Sequence, residues 1–142
     1  MAYAETKSSQ SSLRDTNSPQ YKAVEWLVQD KVDNGSNWSG YELLQRYVLR
    51  VLYLSAGGDN WSNSAPTSWF GASSVCDWGP ITVQCNGNGQ QVDRLQLGAN
   101  NLQGTIPDEL GHLTSLTYLN LFNNFQLTST IPTQLGQLTA ST

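Results

Sequence analysis

The sequence predicts an α/β repeat protein, in which a short solenoid of strand-and-return units follows a helical, tryptophan-rich N-terminal unit. Three observations carry this. From Val92 onward the chain repeats itself at a spacing of 24 to 25 residues. Between Ser18 and Gly58 two segments carry apolar residues at helical spacing. All five tryptophans, at 26, 38, 61, 69 and 78, precede Cys85, so the composition changes near residue 86.

Residues 1–17 are polar, with Leu13 as their one large aliphatic residue. They bury too little to offset ordering entropy and are expected to form a flexible arm. Ser18 and Pro19 supply a helix N-cap and first-turn residue. Tyr21, Val24, Trp26, Leu27 and Val28 then cluster on one face of a helix expected to run to about Asp30. The stretch DNGSNW (33–38) forms a turn, and Ser39 with Glu42 matches a capping box ahead of a second helix. There Leu44, Val48 and Leu52, joined by Tyr47 and Val51, make the apolar stripe, and Ala56-Gly57-Gly58 ends it. The tryptophans beside these helices read as core in preference to a sugar-binding platform.

Cys76 and Cys85 lie nine positions apart with no nearby histidine or second cysteine pair, so zinc would lack ligands. A local disulfide in an oxidising compartment is favoured over two buried thiols in a reducing one. Residues 18–91 thus form the helical unit with its cysteine pair, and 92–142 the repeats.

The first unit is VDRLQLGANNLQGTIPDELGHLTS (92–115) and the second is LTYLNLFNNFQLTSTIPTQLGQLTA (116–140). Leu95 and Leu97 match Leu119 and Leu121, Asn100 matches Asn124, Leu102 matches Leu127, and Ile106-Pro107 matches Ile131-Pro132. One residue is inserted between Asn124 and Leu127, after which Leu110, Gly111 and Leu113 match Leu135, Gly136 and Leu138. The L-x-x-L-x-L-x-x-N-x-L pattern is the leucine-rich repeat signature. Its leucines point into a shared interior, and the amides of Asn100 and Asn124 bond backbone groups where the chain leaves the strand, a structural role. The added L-x-G-x-I-P-x-x-L-G-x-L segment (Leu102, Gly104, Ile106, Pro107, Leu110, Gly111, Leu113) marks the plant-type subclass.

On these residues the chain resembles a plant- or algal-type leucine-rich repeat protein with its N-terminal cap, over about residues 19–140. The resemblance implies a helical cap with a G-D-N-W turn, here Gly58 to Trp61, and a cysteine pair around a C-x-W element, here Cys76, Asp77, Trp78 and Cys85. It also implies a disulfide between Cys76 and Cys85. The chain departs from the pattern at GPITVQ (79–84), longer than the family's usual G-V-x-C, and at Ser129, which replaces the glycine matching Gly104. Two repeats are fewer than such arrays generally need. The strand around Leu119 to Leu121 is therefore expected to be an open parallel edge, with the face beyond Leu135 and Leu138 uncovered. That reads as a fragment of a longer array, or as an end on which a partner subunit docks.

The net charge of -4 and pI near 4.6 lack the basic excess that phosphates or an anionic bilayer demand, which excludes nucleic acid as a partner. The longest apolar stretch, Tyr47 to Leu54, is broken by Arg50 and falls short of the ~20 residues of a membrane span. The first twenty residues lack the features of a secretory signal, so one was removed or none existed. His112 is a lone histidine, and Asp108 with Glu109 suits the first turn of a short helix. No catalytic, phosphate-binding or metal motif occurs, so the chain is expected to be non-enzymatic, without cofactor or metal.

Binding fits better. The variable strand positions Arg94, Gln96 and Gly98, with Tyr118, Asn120 and Phe122, line the concave face and have the aromatic and arginine content of a contact patch for a protein or a glycan. The leading expectation is a recognition module, extracellular or in a secretory lumen. Two other roles are weighed beside it. One is a structural accessory subunit stabilising a larger assembly, on the lumenal face of a membrane complex. The other, implied by some plant members, is an inhibitor of a secreted hydrolase. Sequons at Asn34, Asn37 and Asn60 offer N-glycosylation sites in the secretory pathway.

Overall fold

The computed structural model describes residues 8–38, 40–62, 69–79, 82–88 and 90–128, and the backbone of 139–141. Within these the chain is an α/β repeat of three helices and six short strands.

Helix α1 (Gln10–Arg14) is capped by the Ser9 side chain, which accepts from the Ser12 amide. The segment was expected to be a flexible arm, but its described part is tethered: Leu13 is buried, Ser8 bonds the Tyr47 hydroxyl at 2.7 Å, and Ser8 donates to Glu109 at 2.5 Å. Counting apolar residues misses this, because one leucine and one hydroxyl pair hold the segment down.

Helix α2 (Pro19–Asn34) begins as its sequence predicts, with the Ser18 side chain accepting from the Tyr21 amide. It runs a turn beyond Asp30, because Gly35 supplies the left-handed residue (φ 64°) whose amide closes on the Lys31 carbonyl. Ala23 and Asp30 face the core, with Val24, Trp26 and Leu27 packed beside it. Val28, expected on that face, points outward with Val32, at 60% and 72% exposed.

Helix α3 (Gly40–Ser55) buries Leu44 to Leu49 and Val51 to Tyr53, so it is enclosed on almost every side. Ser39 lies outside the described residues. Its expected capping-box partner, Glu42, accepts from the Val75 amide at 2.8 Å and the Ser74 hydroxyl at 3.3 Å. Two consecutive polar residues are fully buried. Gln45 donates to the Gln90 carbonyl at 3.0 Å and accepts from the Val92 amide at 2.6 Å. Arg46 donates to the carbonyls of Ser73 and Gly71, both at 3.0 Å, and lies 3.6 Å from Asp30 and 3.8 Å from Glu42. Its guanidinium also sits over the rings of Trp38, Trp78 and Trp26, at 4.7, 4.9 and 5.4 Å. Burial pulls its pKa below the usual 12.5, and the two carboxylates oppose that pull.

Trp61, Trp69 and Trp78 are buried, and with Trp26, Phe70 and Tyr53 they form edge-to-face pairs 4.9 to 6.4 Å apart. Cys76 and Cys85 are disulfide-bonded, their Cα atoms 5.6 Å apart. The long segment after Trp78 has a structural use. The Gly79 carbonyl accepts from the amides of Thr82 and Val83, and the chain then enters strand β1 (Val83–Cys85).

Strand β1 pairs antiparallel with β2 (Val92–Gln96), and β2 pairs parallel with β4 (Tyr118–Asn120). Leu95 and Leu119 stand side by side in this register, both fully buried. A second ladder joins β3 (Gln103–Gly104) to β5 (Gln126–Leu127). The expected open edge at Leu119 to Leu121 is corrected: β6 (Thr139–Ser141) pairs with β4 in parallel. The last few residues of the second unit thus begin a further strand, whose small polar sequence gave no apolar pattern. Leu135 and Leu138 lie outside the described residues.

The first unit docks on the end of α3. The Gln103 amide bonds the Ala56 carbonyl at 2.9 Å and Thr105 bonds Ser55 at 3.1 Å, which satisfies carbonyls the helix leaves open. Gly104 between them has φ 91°, and a Cβ there would sit 2.6 Å from the Ser55 carbonyl oxygen. Gly104→Ala should therefore cost more than ~2 kcal/mol in urea unfolding. Gly35→Ala, at a left-handed position with nothing within 4 Å of its added Cβ, should cost only about 1 kcal/mol.

Alkali should also unfold this core. Burial, opposed by the Ser8 bond and aided by the Glu109 charge, pushes the Tyr47 hydroxyl up to about 12. Burial and the bond to Asp59 raise Tyr53 to about 12 as well. Both folded values exceed the unfolded value near 10, so this stability is present below pH 10 and lost as pH rises toward 12. Unfolding free energies measured from pH 8 to 12 should fall over that window, and fall less steeply in Tyr47→Phe.

Candidate functional site

Alternation along the strands sends Leu95 and Leu119 inward and their neighbours outward. Arg94 is in register with Tyr118, and Gln96 with Asn120. The Arg94 guanidinium lies 5.0 Å above the Tyr118 ring. The Asn120 amide donates to Gln96 Oε1 at 3.4 Å and accepts from the Phe122 amide at 2.9 Å. A Cβ at Gly98 would lie 2.9 Å from Asn120 Oδ1 and would displace that amide. Beyond it Phe122 stands 56% exposed, its carbonyl accepting from the Ala99 amide. The structure thus brings Arg94, Gln96, Tyr118, Asn120 and Phe122 onto adjoining positions of one face.

One neighbour escaped the sequence reading. Gln84 on β1 is in register with Arg94 and extends the row by a strand. Three residues of which only Val83 is buried carry too little pattern to reveal a strand from sequence.

Behind this face lies Asn124. Its Oδ1 accepts from the amides of Asn100 and Leu102, each at 3.0 Å, and its Nδ2 donates to the carbonyls of Leu97 at 2.7 Å and Leu121 at 2.9 Å. One side chain thereby joins the two turns. Asn100, at the equivalent place one unit earlier, is also buried, and its carbonyl accepts from the Ser62 amide.

The three sequon asparagines, Asn34, Asn37 and Asn60, are all exposed, and Asn34 donates its amide to Asp30 at 2.9 Å. Asp108 and Glu109 open a 3-10 turn, Asp108–His112. Glu109 is nearly buried there, accepting from Ser8 and Gln20, and serves as the anchor of the N-terminal segment. Among the described residues no group of three or more His, Cys, Asp or Glu could hold a metal, and no helix is long and apolar enough to cross a membrane.

The Leucine Rich Repeat family model matches residues 91–113. Relatives include, from Arabidopsis thaliana, receptor-like kinase TMK2 (32% identical over 63% of this chain and 9% of the kinase) and phytosulfokine receptor 1 (32%, over 62% and 8%). Leucine-rich repeat receptor-like serine/threonine-protein kinase RGI4 of the same plant is 46% identical over 56% of this chain and 7% of its own length. The chain therefore spans less than a tenth of the length of these relatives.

The inner asparagine and the outer strip should separate in stability measurements. Asn124→Ala removes a partner from five backbone groups and should cost at least about 3 kcal/mol in denaturant unfolding. Arg94→Ala and Tyr118→Ala, on the outer face, should each stay within about 1 kcal/mol of the parent.

Proposed function

We propose that this chain, a leucine-rich repeat protein of the plant type, is a recognition module whose outer strand face contacts a protein ligand. One observation carries the reading. Arg94, Gln96, Tyr118, Asn120 and Phe122 form a continuous aromatic, amide and arginine strip that the core does not use. Such a composition is that of interface centres, where aromatic and arginine side chains dominate binding.

In this reading residues 18–91 act as the cap of a solenoid and 92–142 as its first units. The strip is the concave face, and the chain itself does no chemistry. The word kinase in the relatives' names belongs to proteins of which this chain matches less than a tenth. The word receptor in the name of phytosulfokine receptor 1 supports ligand recognition. The disulfide supports an extracellular or lumenal setting, in which the sequons become usable. A second contact is favoured by β6, which ends the described sheet and offers its outer edge to a parallel strand. A continuing array would use that edge, as would a larger assembly in which the chain serves as accessory subunit.

The test compares capture of secreted proteins by the immobilised chain and by a triple variant, Arg94→Ala, Tyr118→Ala and Phe122→Ala, of unchanged melting temperature. A partner held by the parent should be weakened at least tenfold by the variant. Equal retention by both would contradict the strand-face reading.

A further inference from the structure

The one-residue insertion in the second unit has an outcome that the fold does not require. Where the first unit runs Asn100-Asn101-Leu102, the second runs Asn124-Phe125-Gln126-Leu127, and the extra length leaves Phe125 90% exposed. A large aromatic side chain set in water contributes nothing to the core and leaves its ring face open to a ligand. Phe125 borders a depression of about 420 Å³, lined also by Ser62, Ala99, Asn101, Asn123 and Gln126. The depression is open to solvent, since all six of its lining residues are exposed, and so suits a ligand that lies across the surface.

The lining decides the ligand class. None of the six side chains is ionisable, so the lining offers a charged group no counter-charge. Three amides and a hydroxyl share the depression with one exposed aromatic ring, a mixture that suits a molecule with an apolar C–H face and a rim of hydroxyl groups. One of the amides is also set in place. Asn101 and Asn123 both hold left-handed backbone (φ 59° and 60°), and Asn101 Nδ2 is bonded to the Asn60 carbonyl at 3.0 Å, leaving its Oδ1 as an acceptor.

We propose that this depression is a subsite for a neutral oligosaccharide, with Phe125 as the stacking platform and Asn101, Asn123 and Gln126 as hydrogen-bonding groups. It lies beside the protein-contact strip and does not depend on it. The chain, produced without glycans of its own, is titrated with cellohexaose, laminarihexaose and chitohexaose, and backbone amide shifts are followed by NMR. At least one should bind with a Kd of about 1 mM or tighter, shifting the amides of Asn101, Asn123 and Gln126. Phe125→Ala should weaken it tenfold or more with no change in melting temperature, and Arg94→Ala should leave it unaltered. The proposal is overturned if none of the three binds, if Phe125→Ala binds equally well, or if an acidic oligogalacturonate binds more tightly than all of them.

Discussion

A buried guanidinium holds the N-terminal half together. Placing a charge where no water reaches it costs several kcal/mol, and only dense compensation makes the site viable. Arg46 receives it from two main-chain carbonyls, two carboxylates and three indole rings. These partners come from different places: Asp30 from α2, Glu42 from α3 itself, and the carbonyls of Gly71 and Ser73 from the segment that leads to Cys76. That segment has little regular structure beyond one 3-10 turn (Val75–Asp77), and this side chain and Glu42 satisfy the backbone groups of Gly71, Ser73 and Val75 in it.

From there the constraint passes to the repeats through covalent and backbone links. The disulfide joins Cys76 to β1, β1 pairs with β2, and Gln45, next to Arg46 in sequence, bonds the residues that open β2. The close approach of Gly104 to Ser55 fixes the other end of the same unit. Once the first unit is seated, the second copies it through Asn124 and the leucine pairs, so the interior sets where every outward side chain stands. The inward positions are fully committed to the core, and the outward ones are free of that constraint.

Much of the second half was legible because a repeat states its register twice. The match of Leu95 to Leu119 is the pairing the sheet adopts, and it places Arg94 beside Tyr118. Capping chemistry was legible at Ser18 and Pro19, where one hydroxyl meets one amide. Long-range polar pairing was not. Glu42 looks local in sequence but bonds residues more than thirty positions away, and Ser8 reaches Glu109 across the whole chain. Val28 was misplaced because a helix with few strong apolar residues defines its buried face poorly, and Ala23 and Asp30 hold that face instead. Strands β1 and β6 are three residues each, too short for alternation to show.

The most direct test of the account is the urea unfolding free energy of Arg46→Lys. Lysine keeps the charge and much of the length but lacks the planar fork that reaches two carbonyls at once. If the guanidinium organises the helical unit, the variant should lose about 3 kcal/mol or more, and the backbone amides of Val75 and Val92 should lose hydrogen-exchange protection with it. A variant within about 0.5 kcal/mol of the parent, with those amides still protected, would show that the charge alone suffices and that the fold does not rest on this side chain.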